Sequence, residues 1–238
     1  MIKLDNVDKM YKDKKVLSDV TLTFQTNEKK IYGLIGPNGA GKTSFLKSMS
    51  GILEYSAGQI LHDGEAVDGK WLRKNIVFIP TGERGLRYRN TVHDNVMFFG
   101  AMKGCAQKTL KENMKIYAKM LKFEFFMERK VESLSTGEKR KAILLCGLCT
   151  EASILILDEP SNGLDIDAQR ELQETLCNVN ENSCKTIIIS SHELDFLCGI
   201  VNQYIFIMNG EIKKEIEGNM EIEEVKKIYF SLREEAAL

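Results

Sequence analysis

Eight consecutive residues, Gly36-Pro37-Asn38-Gly39-Ala40-Gly41-Lys42-Thr43, constrain this chain more than any other stretch. They follow a short apolar run, Ile31 to Ile35, and lead into Ser44-Phe45-Leu46-Lys47-Ser48-Met49, whose apolar positions have helical spacing. Strand, glycine-rich loop and helix in that order are the context a phosphate-binding loop requires. Glycines let successive backbone N–H groups turn inward as an anion nest, and Gly39 and Gly41 carry no Cβ to obstruct phosphates. The following helix aims its partly positive N-terminus at the same point. Lys42 can then reach β- and γ-phosphates, and the Thr43 hydroxyl can hold a magnesium ion bridging them. With glycine at about 7% of an average chain, a chance match to this spacing has a probability on the order of 1%. The loop specifies nucleotide phosphate and leaves open what the nucleotide is for.

The remaining composition sets limits. A length of 238 residues suffices for one large domain or two small ones. The 33 basic and 34 acidic residues leave a formal net charge of −1, so no nucleic-acid partner is expected. Met1 to Asn6 lacks the apolar core of a secretory signal. The longest apolar runs, such as Ala142 to Leu145, fall far below the roughly 18 residues that cross a bilayer. A soluble, cytosolic polypeptide is expected. Cys146 and Cys149 form a lone C-x2-C with no second ligand pair at zinc spacing, so the six cysteines are expected to be reduced core residues.

Along the chain, residues 2–35 have strand character, with Val20 to Phe24 alternating apolar and polar. Asn27-Glu28-Lys29-Lys30 is the turn before the strand that feeds the phosphate loop. Tyr11, between the first two strands, suits either an ordinary strand-end aromatic or a functional one. A helix over 41–50 ends at Gly51, a short strand covers 59–61, and Asp63-Gly64 is a hairpin turn. Ile76 to Ile79, closed by Pro80, suits a buried parallel strand. Helix-period segments at 92–102, 110–121 and 138–148 suggest a helical insert from Thr91 to about Gly147. Strand signals return at Ile154 to Leu157. A helix at 168–178, a strand at 186–190 and a helix near 193–198 follow. Two last strands, 204–208 and 211–216, are joined by Asn209-Gly210, and a charged, solvated terminal helix covers 221–234. The expected fold is α/β with a mostly parallel core sheet and the nucleotide at the carboxyl ends of its strands.

Two further constellations carry chemistry. Asp158 and Glu159 are adjacent carboxylates at the carboxyl end of a buried strand. Nucleotide hydrolysis needs one carboxylate to help hold magnesium and another to polarise the attacking water. Strand alternation would send the two in different directions, so they can divide these roles. A strand-end turn or helix cap is the structural alternative. Leu134-Ser135-Thr136-Gly137-Glu138 opens a basic helix, and taken alone it is satisfied by a capping box between Ser135 and Glu138.

In this order, Tyr11, the loop Gly36 to Thr43, Leu134 to Glu138, Ile154 to Asp158-Glu159-Pro160, Ser161-Asn162-Gly163-Leu164-Asp165 and Ser191-His192-Glu193 resemble the nucleotide-binding subunit of ATP-binding cassette (ABC) transporters. The resemblance covers nearly the whole chain. It implies a P-loop NTPase core (1–85 and 150–238) with an N-terminal antiparallel β subdomain, and an inserted α-helical subdomain (86–149). It implies ATP and Mg2+: Tyr11 stacking on adenine, Gly36, Pro37, Asn38, Gly39, Ala40, Gly41, Lys42, Thr43 and Ser44 forming the phosphate cradle, and Thr43 and Asp158 holding the metal. Glu159 would be the general base, and His192 would bind the γ-phosphate and orient the water. Ser135 and Gly137 would complete the site on a second cassette, identical or different, with Asp165 at the same interface. ATP would join two cassettes and hydrolysis release them, driving a separate transmembrane permease at the inner face of the cell membrane.

Two positions depart from the family pattern. Thr81 stands where glutamine is usual, so either Glu83 substitutes or coupling differs. Thr136 and Glu138 replace the commonest Gly and Gln, and with Glu83-Arg84-Gly85-Leu86 they are similar to subunits of bacterial exporters. Competing functions are a soluble cassette protein with a regulatory or assembly role, and a module that binds nucleotide without turnover. Translation proteins of the first kind usually carry two cassettes on one chain, and intact Lys42, Glu159 and His192 argue against the second.

Overall fold

Strands whose side chains are buried on both faces form the centre of this protein. The structure is a computed structural model that describes residues 1–26 and 28–236. Asn27, placed in a turn from sequence, lies outside the described residues.

β1 (Ile2–Tyr11) and β2 (Lys14–Phe24) alternate buried and exposed positions and pair antiparallel. With β4 (Ala57–His62) and β5 (Glu65–Ala66) they make a four-stranded sheet ordered β2-β1-β4-β5. β3 (Ile31–Ile35), β7 (Ile154–Asp158) and β8 (Thr186–Ser191) are buried at every residue, as strands covered on both faces must be. With β6 (Ile76–Ile79), β9 (Gln203–Met208) and β10 (Glu211–Glu217) they form a six-stranded sheet ordered β10-β9-β3-β8-β7-β6. Its neighbours are parallel except for the β9–β10 hairpin.

Period-two alternation divides the large sheet into two apolar layers. Ile31, Val77, Leu155, Leu157, Ile187 and Ile189 face α3 (Val92–Met102), α4 (Gln107–Met120), α5 (Thr136–Leu148) and α6 (Ile166–Asn182), through Val96, Leu110, Leu144 and Leu176. Tyr32, Leu34, Ile156 and Ile188 face the other way, against Phe45 and Leu46 of α1 (Lys42–Met49) and Leu4, Val20 and Phe24 of the small sheet. Each such fully buried side chain contributes about 1.5–3 kcal/mol of transfer free energy.

α4, α5 and α6 are longer than their periodicity suggested, α3 has the expected bounds, and α1 and the helix Leu194–Leu197 are shorter than the expected 41–50 and 193–198. α6 begins at Ile166 because Asp165 caps it, its carboxylate accepting from Ala168 N at 2.8 Å, and it runs on to Asn182. α2 (Gly69–Asn75), capped by Asp68, buries only Leu72, and so leaves no period to detect in sequence. α7 (Leu194–Leu197) is one turn, and α8 (Ile222–Glu235) closes the chain with Val225 and Tyr229 buried. No helix of the described residues is long and apolar enough to cross a membrane. The six cysteines are free, and burial pushes the Cys149 thiol up to about 12 and Cys146 higher still, so both act as small core residues.

Candidate functional site

The phosphate loop leaves β3 at Ile35 and crosses the carboxyl end of the sheet before entering α1. Gly36 is required because a Cβ there would stand 2.3 Å from the Ile207 carbonyl of β9. Gly41 caps α1 at φ +105°, and a Cβ there would stand 2.9 Å from the Val16 carbonyl of β2. Its own backbone conformation and the neighbouring sheet thus give Gly41 a further reason to lack a side chain, beside the one read from sequence. No side chain caps α1, so its first N–H groups open toward the loop, which is the electrostatics of an anion site. Asn209-Gly210 props the loop from below. Gly210 N donates to Ala40 O at 2.9 Å, and Gly210 O accepts from Ser18 N at 2.9 Å.

Six charged or polar side chains converge above the loop. Lys42, 6% exposed, donates to the carbonyls of Gly36 (2.6 Å) and Pro37 (3.3 Å) and pairs with Glu159 Oε1 at 3.1 Å. Thr43 Oγ1 donates to Asp158 at 2.9 Å, and Ser190 Oγ donates to the same carboxylate at 2.7 Å. Glu159 Oε2 lies 2.7 Å from His192 Nδ1 and accepts from His192 N at 3.3 Å.

Strand alternation does not send Asp158 and Glu159 in different directions as expected; their carboxylates reach the neighbouring residues Thr43 and Lys42. β7 stops at Asp158, and Glu159 adopts a left-handed backbone (φ +48°), held by its N–H on Ser190 O (3.1 Å) and Ser190 Oγ (3.0 Å). A non-glycine residue in that conformation carries local strain, which the surrounding hydrogen bonds offset. The turn sends the Glu159 carboxylate back over Lys42.

Lys42, Thr43, Glu159 and His192 line a cavity of about 450 Å³ that also takes in Asn38, Ser44, Val16, Thr81 and Asn162. Thr81 Oγ1 donates to the Asp158 carbonyl at 3.0 Å, so it supports the strand end from the usual glutamine position. Glu83 pairs instead with Lys139 of α5 at 3.4 Å and accepts from the Tyr88 hydroxyl, and it does not line the cavity. The donor set suits magnesium. Thr43 and Asp158 offer adjacent hard oxygens beside the phosphate loop, and Mg2+ typically takes one or two protein oxygens plus substrate phosphates. Among the described residues no group of three or more His, Cys, Asp or Glu could hold a metal by itself.

Three sequence-selected residues lie elsewhere. Tyr11 ends β1, is 45% exposed with the Lys9 ammonium 5.0 Å from its ring centre, and does not line the cavity. Ser135 and Gly137 sit at the start of α5, Ser135 exposed and joined to Glu138 by a two-way capping box. They open on a second cavity of about 810 Å³, with Leu164 and Asp165 on its far wall. Sequence reasoning did not select Ser190, Asn162, Val16 or Gly210 as parts of the site. A signal existed for Ser190, a polar residue closing an otherwise all-isoleucine run.

The family model described as ABC transporter matches residues 17–162. An uncharacterised ABC transporter ATP-binding protein of Methanocaldococcus jannaschii is 32% identical over 210 residues, 88% of this chain and 75% of the relative. The ABC transporter ATP-binding protein NatA of Bacillus subtilis is 30% identical over 218 residues, 89% of this chain and 87% of the relative. Among solved structures, cbiO1 of Clostridium perfringens, described as part of the ABC transporter complex cbiONQ, superposes with a TM-score of 0.83 at 23% identity, covering 98% of this chain and 93% of that one. A post-hydrolysis dimer of the ATP-binding cassette MJ0796 with ADP and Pi gives a TM-score of 0.76 at 23% identity, covering 91% and 98%. Phosphate loop, strand-end carboxylates, cassette fold and relatives matched over 88% and 89% of the chain agree, and the chain belongs to the ABC transporter family of ATP-binding proteins.

Proposed function

We propose that this chain hydrolyses ATP to drive transport through a separate membrane-spanning permease, by closing with a second cassette around bound ATP. The observation that carries the reading is the placement of Glu159. Its left-handed turn sets one carboxylate oxygen on His192 and the other on Lys42, at the mouth of a cavity walled by the phosphate loop. When a γ-phosphate takes over the Lys42 ammonium, Glu159 is released to accept a proton from water as that water attacks phosphorus. The leaving group is ADP, and the proton rests on the carboxylate. His192, within reach of the same carboxylate, orients the water and contacts the γ-phosphate. Mg2+ held by Thr43 and Asp158 would neutralise charge between the β- and γ-phosphates.

Tyr11 supplies an exposed ring on the hairpin that also provides Val16, and stacking on adenine needs no base-specific hydrogen bond. Ser135 and Gly137 belong to a body of helices over residues 86–149, inserted into a core of 1–85 and 150–238. The N-terminus of α5 is exposed there, free to meet the γ-phosphate on a second chain, of the same or another sequence, with Asp165 beside it. The permease would hold the pair at the inner face of the membrane. A relative described as part of a multi-subunit transporter complex supports such a partner.

Phosphate release by the purified chain with Mg2+ and ATP tests this. Glu159→Gln should lower turnover by at least ~100-fold, the scale of a lost general base. It should also form a dimer by light scattering at saturating ATP. Wild-type turnover in that variant would remove Glu159 from the role. Co-purification of a hydrophobic membrane protein tests the transport assignment.

A further inference from the structure

We infer that Arg140 is a positioning residue that mechanically links the phosphate cavity to the Ser135–Gly137 helix end within one chain. The inference rests on the proposed two-cassette function, because it concerns how one half-site senses the other.

Arg140 lies on α5, five residues after Ser135, and is 8% exposed. Its Nη1 donates to the carbonyl of Gly82 at 2.6 Å and its Nη2 to the carbonyl of Asn162 at 2.8 Å. Those carbonyls belong to two separate loops, one following β6 and one following β7. Each loop also contributes to the phosphate cavity, through Thr81 and through Asn162 itself. The guanidinium therefore bridges both walls of the cavity to the helix that carries Ser135.

The chemistry is unusual for a purely structural contact. Among the described residues no carboxylate pairs with Arg140, and its Nε is buried without a hydrogen-bond partner. A buried cation so weakly compensated is costly, and an apolar side chain of similar volume would fill the space at lower cost. What an apolar group lacks, and a lysine has only in part, is a rigid fork that engages two carbonyls at once. A second tie reinforces the first: Lys139, the preceding residue on α5, pairs with Glu83 of the Gly82 loop at 3.4 Å. Movement of either loop when phosphates enter must then be passed to α5, and the reverse.

The test compares the full-length wild type with Arg140→Met and Arg140→Lys, in fluorescent mant-ATP binding, phosphate release against ATP concentration, and thermal melting. The expected result for Arg140→Met is a mant-ATP Kd within about twofold of wild type, with kcat down about tenfold and the Hill coefficient approaching 1. Arg140→Lys should fall between. A merely structural role would lower Tm, affinity and kcat together, and that outcome overturns the inference. Wild-type kcat and Hill coefficient in a folded variant overturn it too. Should Arg140→Met fail to fold, Arg140→Lys is judged by the same split. A wild type that neither hydrolyses ATP nor dimerises removes the proposed function and this inference together. A wild type that does both beside unchanged variants removes only Arg140.

Discussion

Glu159 pairs with Lys42, and under the proposed function the γ-phosphate of ATP must compete with it. The ammonium and the carboxylate are 3.1 Å apart with side chains only 6% and 12% exposed. At an effective dielectric of about 20, two unit charges at that separation attract by about 5 kcal/mol before desolvation. Desolvation and the two carbonyls that also hold Lys42 offset most of this, leaving a net coupling of about 1–2 kcal/mol. Glu159→Gln keeps the shape and removes the charge. Mant-ATP should consequently bind the variant about 5- to 30-fold more tightly, since each 1.4 kcal/mol is a factor of ten. The same energy should be missing from the ligand-free variant, lowering its Tm by about 3–6 °C for a chain of this size.

Affinity and melting thus measure one quantity from opposite directions. ADP gives an internal control, because without a γ-phosphate it has less to gain from a released Lys42. Fluorescence titration and differential scanning calorimetry on both proteins decide the matter. An unchanged or weaker ATP affinity, or a lowered Tm without any gain in affinity, would show that the pair does not compete with phosphate and would refute the reasoning.

Two further outcomes follow from buried groups. Lys185 donates to the carbonyls of Thr150 and Ala152, and burial pulls its ammonium from 10.5 down to about 8. The folded state sheds this proton before the unfolded chain does, so the penalty for burying the charge is present below pH 8 and is relieved as pH rises toward 10.5. Urea unfolding at pH 7 and pH 10 should show Lys185→Met gaining about 2–3 kcal/mol relative to wild type at the lower pH, and an unchanged difference would oppose the burial argument. Ser190→Ala removes the hydroxyl that donates to Asp158 at 2.7 Å and accepts from Glu159 N at 3.0 Å. It should cost about 1–3 kcal/mol in thermal unfolding and raise the Mg2+ concentration needed for half-maximal phosphate release, whereas a neutral effect on both would mean Ser190 supports neither carboxylate.

Sequence made the phosphate loop legible because its requirements are local: the glycines, Lys42 and Thr43 sit within one turn of each other. The buried strands were legible because a strand covered on both faces must be apolar throughout, as Ile187-Ile188-Ile189 is. Contacts made at long range were not legible. That a Cβ at Gly41 would also meet the Val16 carbonyl, 25 positions earlier in the chain, could not be read locally. Gly210 signals only a hairpin turn, yet its backbone joins the phosphate loop to β2. The left-handed turn at Glu159 has no local signature, since glutamate has no preference for it, and the hydrogen bonds its N–H donates to Ser190 of β8 hold it.

The two faces of the large sheet explain why a single cassette is incomplete under the proposed function. α1 packs on the face shared with the small sheet, and α5 packs on the opposite face with the other long helices. Their N-termini, both sources of partial positive charge, open on different cavities. Alternation along β7 and β8 places Asp158 on the α1 side, in line with Ile154 and Ile156, and Ser190 likewise in line with Ile188. The oxygens proposed to hold the metal therefore belong with α1, and rotating side chains cannot bring Ser135 to them. At α5 the capping box satisfies the Glu138 N–H and no side chain caps those of Thr136 and Gly137, so the polarity that would attract a phosphate persists at an exposed end. Bringing both helix ends to one triphosphate requires the second end to come from another chain.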